Sequence, residues 1–152
     1  MSRSKVEEAV ECFQNGFSCS QAIFSTYCGE LGLSDEKTAL QLACGLGAGM
    51  GKLQETCGAV SGAYLLIGMK YGKFLVEDNE GKEKTYAVVR EFAKLFEERN
   101  KTTKCRELLG VDLINDDKEI TKERTREICP KLIRDAAEII ESLLFSQNGE
   151  CE

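Results

Sequence analysis

The sequence predicts an all-α fold, a compact single-domain bundle of about six or seven helices. Three observations lead there. The 152 residues contain one proline, runs of β-branched residues are few, and apolar residues recur at steps of three and four along much of the chain. A chain of this length suits one domain and buries a sufficient core without disulfide staples. The helical domain is expected over residues 1–146, with 147–152 as a flexible C-terminal tail.

The first helix is expected from roughly Ser4 to Asn15. Ser4 and Glu7 have the spacing of a capping box, Val6, Ala9, Val10 and Phe13 make an apolar face, and Gly16 suits the stop. Ser18 and Gln21 form a second capping box, opening a helix that carries Ala22, Ile23 and Tyr27 and fades near Gly29 to Gly32. Ser34 then precedes Asp35 and Glu36, acidic residues suited to a helix first turn, and Ala39, Leu40, Ala43 and Leu46 supply the buried stripe.

Gly45, Gly47, Gly49 and Gly51 alternate through the next stretch, which reads first as a helix stop and flexible connector. The alternative is a loop that brings backbone N–H groups close to an anion or a sulfur site. A nucleotide loop is excluded: Leu46 stands where the P-loop needs its first glycine, Leu53 follows Lys52 in place of Ser or Thr, and no β-α-β context surrounds the glycines.

Cys57 to Met69 is the longest uncharged apolar segment, well short of the roughly 20 residues of a spanning helix. It reads as a buried core helix. Gly58, Ala59, Ser61, Gly62 and Ala63 leave little bulk on one face, so that another helix or a cofactor can come close. Gly58, Ala59 and Gly62 are the candidate cofactor contacts, and the same face suggests self-association as a homodimer. Gly72 and the segment Glu77 to Gly81 end this helix, and the next, from about Lys82 to Arg99, is expected to bury Tyr86, Val89, Ala93 and Phe96. A short helical piece over Cys105 to Leu109 stops at Gly110, and Asp112 to Arg126 reads as an exposed charged segment. The last helix is expected to open with Pro130 at its first position and to run through Leu132, Ile133, Ala136, Ala137, Ile140, Leu143 and Leu144.

The net charge is −6, from 26 acidic and 20 basic residues, and its field repels nucleic acid and anionic lipid. No nucleic-acid partner and no membrane insertion are expected. The first eight residues carry no apolar targeting segment, which suggests a cytoplasmic setting where thiols stay reduced. Cysteines there read as metal-binding, redox-active or inert buried thiols.

Eight cysteines and no histidine make sulfur the chemistry to examine. Cys-His dyads, Ser-His-Asp triads, histidine-ligated haem and mixed Cys/His zinc sites are excluded. Cys19 follows the cap Ser18, Cys57 begins the small-residue helix, and Cys129 directly precedes Pro130. All three are placed at expected helix N-termini, where the dipole and unpaired N–H groups favour a thiolate. Cys105 is flanked by Lys101, Lys104 and Arg106, which favour its thiolate electrostatically. Cys12, Cys28 and Cys44 fall inside helices as small apolar residues, and Cys151 falls in the tail.

The order Cys19, Cys57-Gly58-Ala59-x-x-Gly62, Cys105, Cys129 resembles the family of redox-active proteins named for its C_GCAxxG_C_C cysteine pattern. The segments Gly16-Phe17-Ser18-Cys19-Ser20-Gln21-Ala22, Gly49-Met50-Gly51 and Cys57-Gly58-Ala59-Val60-Ser61-Gly62-Ala63 carry the likeness, which covers nearly the whole chain. The resemblance implies a small prokaryotic domain whose four key cysteines are Cys19, Cys57, Cys105 and Cys129. Similar domains also occur joined to cytochrome segments, in a setting associated with an iron–sulfur centre. This chain has no Cys-x-x-Cys-His motif, so no haem function follows.

Three functions stay open at this level. Two of the four cysteines cycle between dithiol and disulfide, exchanging electrons with a redox partner protein. Alternatively, all four hold a [2Fe–2S] cluster in an electron carrier or sensor. The third is a helical interaction domain with buried cysteines. Zinc is a lesser option because no closely spaced cysteine pair is present. Glu55, Glu107 and Glu127 neighbour key cysteines as acid/base candidates but equally suit solvated helix surfaces.

Overall fold

The computed structural model describes residues 3–146, so the expected tail and Cys151 lie outside the described residues. Among the described residues eight α-helical segments follow one another: α1 (Val6–Gln14), α2 (Cys19–Tyr27), α3 (Glu36–Cys44), the single turn α4 (Gly47–Met50), α5 (Gly58–Tyr71), α6 (Asn79–Asn100), α7 (Cys105–Leu109) and α8 (Lys118–Ile140). A π-helical turn, Glu141–Phe145, prolongs α8. Among the described residues the only β pairing is an isolated antiparallel bridge between Thr56 and Lys104. The fold is all-α, as the periodicity predicts.

The central element is α5. Every residue from Gly58 to Ala63 is buried, and the small side chains let α2 approach until a Cβ on Gly62 would stand 2.9 Å from the Ser20 carbonyl oxygen. The small-residue face is therefore covered by the chain's own α2, which removes the basis for a homodimer through that face. Ile23, Phe24 and Tyr27 of α2, Leu66 and Ile67 of α5, Phe92 and Phe96 of α6, and Ile133 and Ile140 of α8 fill the core. Phe92 stands edge-on to Tyr64 and stacks with Phe96.

Side-chain caps open α2, α6 and α8. Ser18 and Gln21 form their capping box in full. Ser4 and Glu7 do not, because a tertiary contact takes Ser4: its hydroxyl, the Lys5 N–H and the Tyr27 hydroxyl all donate to one carboxylate oxygen of Glu141, at 3.3, 2.8 and 2.6 Å. The acidic run before α6 starts that helix rather than ending its predecessor. Asp78 accepts the Gly81 N–H at 2.9 Å, so α6 begins at Asn79. Its buried aromatic residues are Phe92 and Phe96, while Tyr86 is exposed.

Pro130 lies inside α8, not at its start. Asp117 caps this helix by accepting the Glu119 and Ile120 N–H groups, and the segment read as an exposed charged stretch is helical from Lys118 onward. Pro130 has no N–H for the Arg126 carbonyl. The buried row Leu132, Ile133, Ala136 and Ala137 keeps the helix running through that defect.

One polar clamp joins α6 to α8. Asp135, only 8% exposed, accepts from Lys131 Nζ (2.8 Å), Asn100 Nδ2 (3.1 Å) and Arg99 Nη1 (3.2 Å). Burial alone would raise its carboxyl, but these bonds outweigh it and hold it below the ordinary value of 3.8. A carboxyl depressed in the folded state stabilises the fold above its unfolded value, and that contribution fades as pH falls through the folded one. Asp135→Ala is expected to lose about 1–2 kcal/mol at neutral pH, since Arg99 and Lys131 are largely solvated. Urea unfolding checks it: the gap to the native chain should shrink below the ordinary value of 3.8. A gap that stays constant into that acid range contradicts the assignment.

Candidate functional site: a cavity lined by four cysteines

Cys19, Cys57, Cys105 and Cys129 line one cavity of about 150 Å³, walled otherwise by apolar groups such as Phe13, Leu109 and Leu113. All four are buried. The remaining described cysteines lie elsewhere: Cys12 is half-buried beside Ser25, Cys28 is buried in the main core, and Cys44 is exposed rather than packed inside α3. Every described cysteine is a free thiol.

Four separate elements deliver the sulfurs. Cys19 is the first residue of α2, and Cys57 is the N-cap of α5, its N–H donating to the Thr103 carbonyl at 2.8 Å. Cys105 opens α7, with its N–H on the Glu55 carbonyl at 2.7 Å. Cys129 comes from well inside α8, so the expectation that it caps a helix is wrong; side-chain direction, not a helix end, aims it at the cavity. The contact between α2 and α5 is tight at this point as well. A Cβ on Gly58 would stand 2.5 Å from Cys19 Sγ.

The glycine-rich stretch is a built part of the site and not a loose connector. Gly47 and Gly49 are buried, and a Cβ on Gly49 would stand 2.5 Å from Gln54 Cα and 2.7 Å from Cys105 Cβ. The backbone turns left-handed there even at side-chain-bearing residues: φ is +56° at Ala48, +71° at Met50, +69° at Lys52 and +57° at Gln54. Each such residue costs about 1–2 kcal/mol. The turn is held by the Glu55 N–H on the Gly49 carbonyl at 2.9 Å and by Gln54 itself.

Gln54 is the positioning residue that sequence reasoning missed. Its side chain is 2% exposed, donates through Nε2 to the Val111 carbonyl (2.8 Å) and accepts the Leu113 N–H at Oε1 (2.9 Å). It thereby ties the left-handed turn to the segment after α7. Nothing in the string Leu53-Gln54-Glu55 marks the middle residue as buried. Gln54→Leu should lose about 2–3 kcal/mol in urea unfolding, because the buried Leu113 N–H and the partly buried Val111 carbonyl lose their partners. A loss below about 0.5 kcal/mol, the range of an ordinary surface substitution, would contradict this role.

The electrostatics single out Cys19. Its thiol is lowered to about 7, first by a hydrogen bond from the Cys57 thiol, then by the N–H groups of Ala48, Ser20 and Cys19 itself, which together outweigh burial. The Ala48 N–H is supplied by the left-handed glycine turn, so the stretch does bring backbone donors to a sulfur. Cys57 moves the other way, well above the ordinary value: its proton is held by Cys19, and burial and the neighbouring negative charge both disfavour losing it. Cys105 is pushed up to about 11, chiefly by burial and then by the charge on Cys19, with Gln54 and Arg106 opposing too weakly. Burial likewise raises Cys129, helped by Cys19 and Cys105. The expected lowering is therefore found at Cys19 alone: the bond to Cys19, with burial behind it, raises Cys57, and burial raises Cys105 and Cys129.

Of the candidate cofactor contacts, Gly58 lines the cavity, whereas Gly62 packs on the backbone of Ser20 and Ala59 is buried in the main core. Their small size serves the packing of α2 on α5. Glu55, Glu107 and Glu127 are exposed; Glu107 accepts from Thr102 at 2.5 Å and Glu127 pairs with Arg124 at 4.0 Å. Among the described residues, no group of three or more Cys, Asp or Glu side chains is arranged to hold a metal ion. No described helix is long and apolar enough to cross a membrane.

Comparison with known protein families gives a match. Residues 17–143 fit the family model described as "Putative redox-active protein (C_GCAxxG_C_C)", while no curated protein and no solved structure matches significantly. The family label writes Gly-Cys before Ala; here the order is Cys57-Gly58-Ala59, and only glycine fits at position 58 against Cys19 Sγ. With the match running from before the first cavity cysteine to beyond the last, the chain belongs to the C_GCAxxG_C_C family.

Proposed function

We propose that the protein carries out thiol–disulfide redox chemistry, with Cys19 as the attacking thiolate and Cys57 as the resolving thiol. The observation that carries this reading is the meeting of the two in one small cavity, Cys19 on the first residue of α2 and Cys57 on the N-cap of α5; there each thiol acts on the other, lowering Cys19 and raising Cys57. An attacking sulfur must be ionised near ambient pH, and a resolving sulfur must lie within reach while keeping its proton until needed. Cys19 attacks a disulfide R–S–S–R, forming Cys19–S–S–R and releasing one thiolate. Cys57 then gives up its proton and attacks Cys19 Sγ, closing a Cys19–Cys57 disulfide and releasing the second thiolate. The protein loses two electrons, and the disulfide is reduced to two thiols. A reducing cytoplasm, with a protein or small thiol as electron donor, would return the pair to the dithiol.

A second reading assigns the same four sulfurs to a [2Fe–2S] cluster. It is favoured by the meeting of all four in one cavity, since the Cys19–Cys57 pair makes no use of Cys105 and Cys129. Four thiols around an apolar cavity are a chemically suitable donor set, and a cluster there would supply one-electron transfer. The arrangement described above contains no group of three ready to take a single ion. Anaerobic purification followed by visible absorption and iron and labile-sulfide analysis separates the readings. A colourless protein that loses two thiols on mild oxidation and recovers them with reductant supports the dithiol. Charge-transfer bands with matched iron and sulfide overturn it in favour of the cluster.

A further inference from the structure

Beside the cysteine cavity lies a wider groove of about 850 Å³, within the size range of small-molecule sites. Phe13, Ala48, Leu113 and Thr125 line both, so the wall of one is the wall of the other. The groove is basic: Lys118, Lys122 and Arg126 on α8 and Lys52 from the left-handed turn face it, and no Asp or Glu side chain lines it among the described residues. This is a local reversal in a chain of net charge −6.

Folding gives no reason for the reversal. Lys118, Lys122 and Arg126 follow one another at i,i+4 along α8, where like charges are mutually unfavourable. Lys118 is anchored on the Leu113 and Ile114 carbonyls, at 3.3 Å each. The side chains of Lys52, Lys122 and Arg126 make no hydrogen bond or ion pair with a described residue. A bound anion would offset their repulsion.

We propose that this groove admits a small anionic disulfide and presents it to Cys19, so that the oxidant is a low-molecular-mass disulfide carrying carboxylates. The inference rests on the dithiol reading and names its substrate class. In the electron balance given above, R is then an acidic group, each released thiolate is the anionic thiol, and the groove cations hold its carboxylates while the sulfurs exchange.

The test uses three small disulfides that differ in charge: dithiodiglycolate (two carboxylates), 2-hydroxyethyl disulfide (neutral) and cystamine (two ammonium groups). Each rate of oxidation of the fully reduced protein is divided by the rate of the same disulfide with free 2-mercaptoethanol, which removes intrinsic reactivity. At low ionic strength the dianion should lead the dication by about tenfold or more, and added salt should narrow the gap. Lys122→Gln with Arg126→Gln should erase the preference, and Lys122→Glu with Arg126→Glu should reverse it; neither residue touches a cavity sulfur. Normalised rates that agree within about twofold across the series, or a preference unchanged in the variants, overturn the groove proposal and leave the dithiol standing. If no disulfide oxidises the protein, or the oxidised protein lacks a Cys19–Cys57 bond, the dithiol reading fails and the groove proposal falls with it.

Discussion

Cys19→Ser should slow disulfide reduction at least about a thousandfold, because a serine hydroxyl stays protonated at neutral pH and cannot replace the thiolate. Cys57→Ala should have a different signature. The variant still attacks once, then stalls as a mixed disulfide on Cys19, visible as a mass increase equal to one substrate thiol. Removing Cys57 also removes the largest influence that lowers Cys19. The pH profile of the first attack, which in the native chain should inflect near 7, should then move to higher pH. The sign follows directly: with its hydrogen-bond donor gone, the buried thiolate is less stable and needs a higher pH to form. Cys105→Ser and Cys129→Ser leave both reacting sulfurs in place, and changes of a few-fold are expected. A thousandfold loss in either of these two, equal to that of Cys19→Ser, would instead indicate that all four sulfurs act as a unit.

Gly49→Ala should be among the most damaging single substitutions in the fold, costing about 3 kcal/mol or more. Two effects add at this position. The left-handed φ of +67° disfavours any side chain, at about 1–2 kcal/mol, and the new Cβ would collide with Gln54 Cα at 2.5 Å and Cys105 Cβ at 2.7 Å. Gly51→Ala provides the control, since it has a φ of +60° but nothing within 4 Å of the added carbon. It should show the backbone term alone. The difference between the two in urea unfolding measures the close approach at Gly49, and equal losses would contradict it. Gly49→Ala should also disturb the reactivity of Cys19, whose thiolate takes a hydrogen bond from the adjacent Ala48 N–H.

Local chemistry explains which parts of this fold can be read from the sequence. The Ser18 to Gln21 box, the Gly110 stop and the small-residue run of α5 are determined within a few residues, and they appear as expected. Pro130 misleads because proline usually marks a helix start, while the packing that carries α8 through it comes from distant parts of the chain. Asp78 misleads in the opposite sense, since an acidic run read as a break is an N-cap.

The site divides in the same way. The order of the cysteines points to the four that meet in the cavity, yet only the Cys19 thiol is lowered there. Both causes depend on tertiary packing: the bond to Cys19, then burial, overrides the N-terminal placement of Cys57, and burial overrides the basic residues around Cys105. Gln54 was invisible for a related reason. Its partners, Val111 and Leu113, lie more than fifty residues away in sequence, and its left-handed backbone follows from a turn that the glycines alone do not specify.

The most direct test of the Cys19–Cys57 pair is a disulfide map by mass spectrometry, taken after equilibrating anaerobically purified protein in thiol–disulfide buffers of graded potential. The predicted result is a single two-electron transition in which two thiols disappear and peptides containing Cys19 and Cys57 become linked, reversibly. Retention of all cysteines as thiols across the series, or a linkage that leaves Cys19 free, would contradict it.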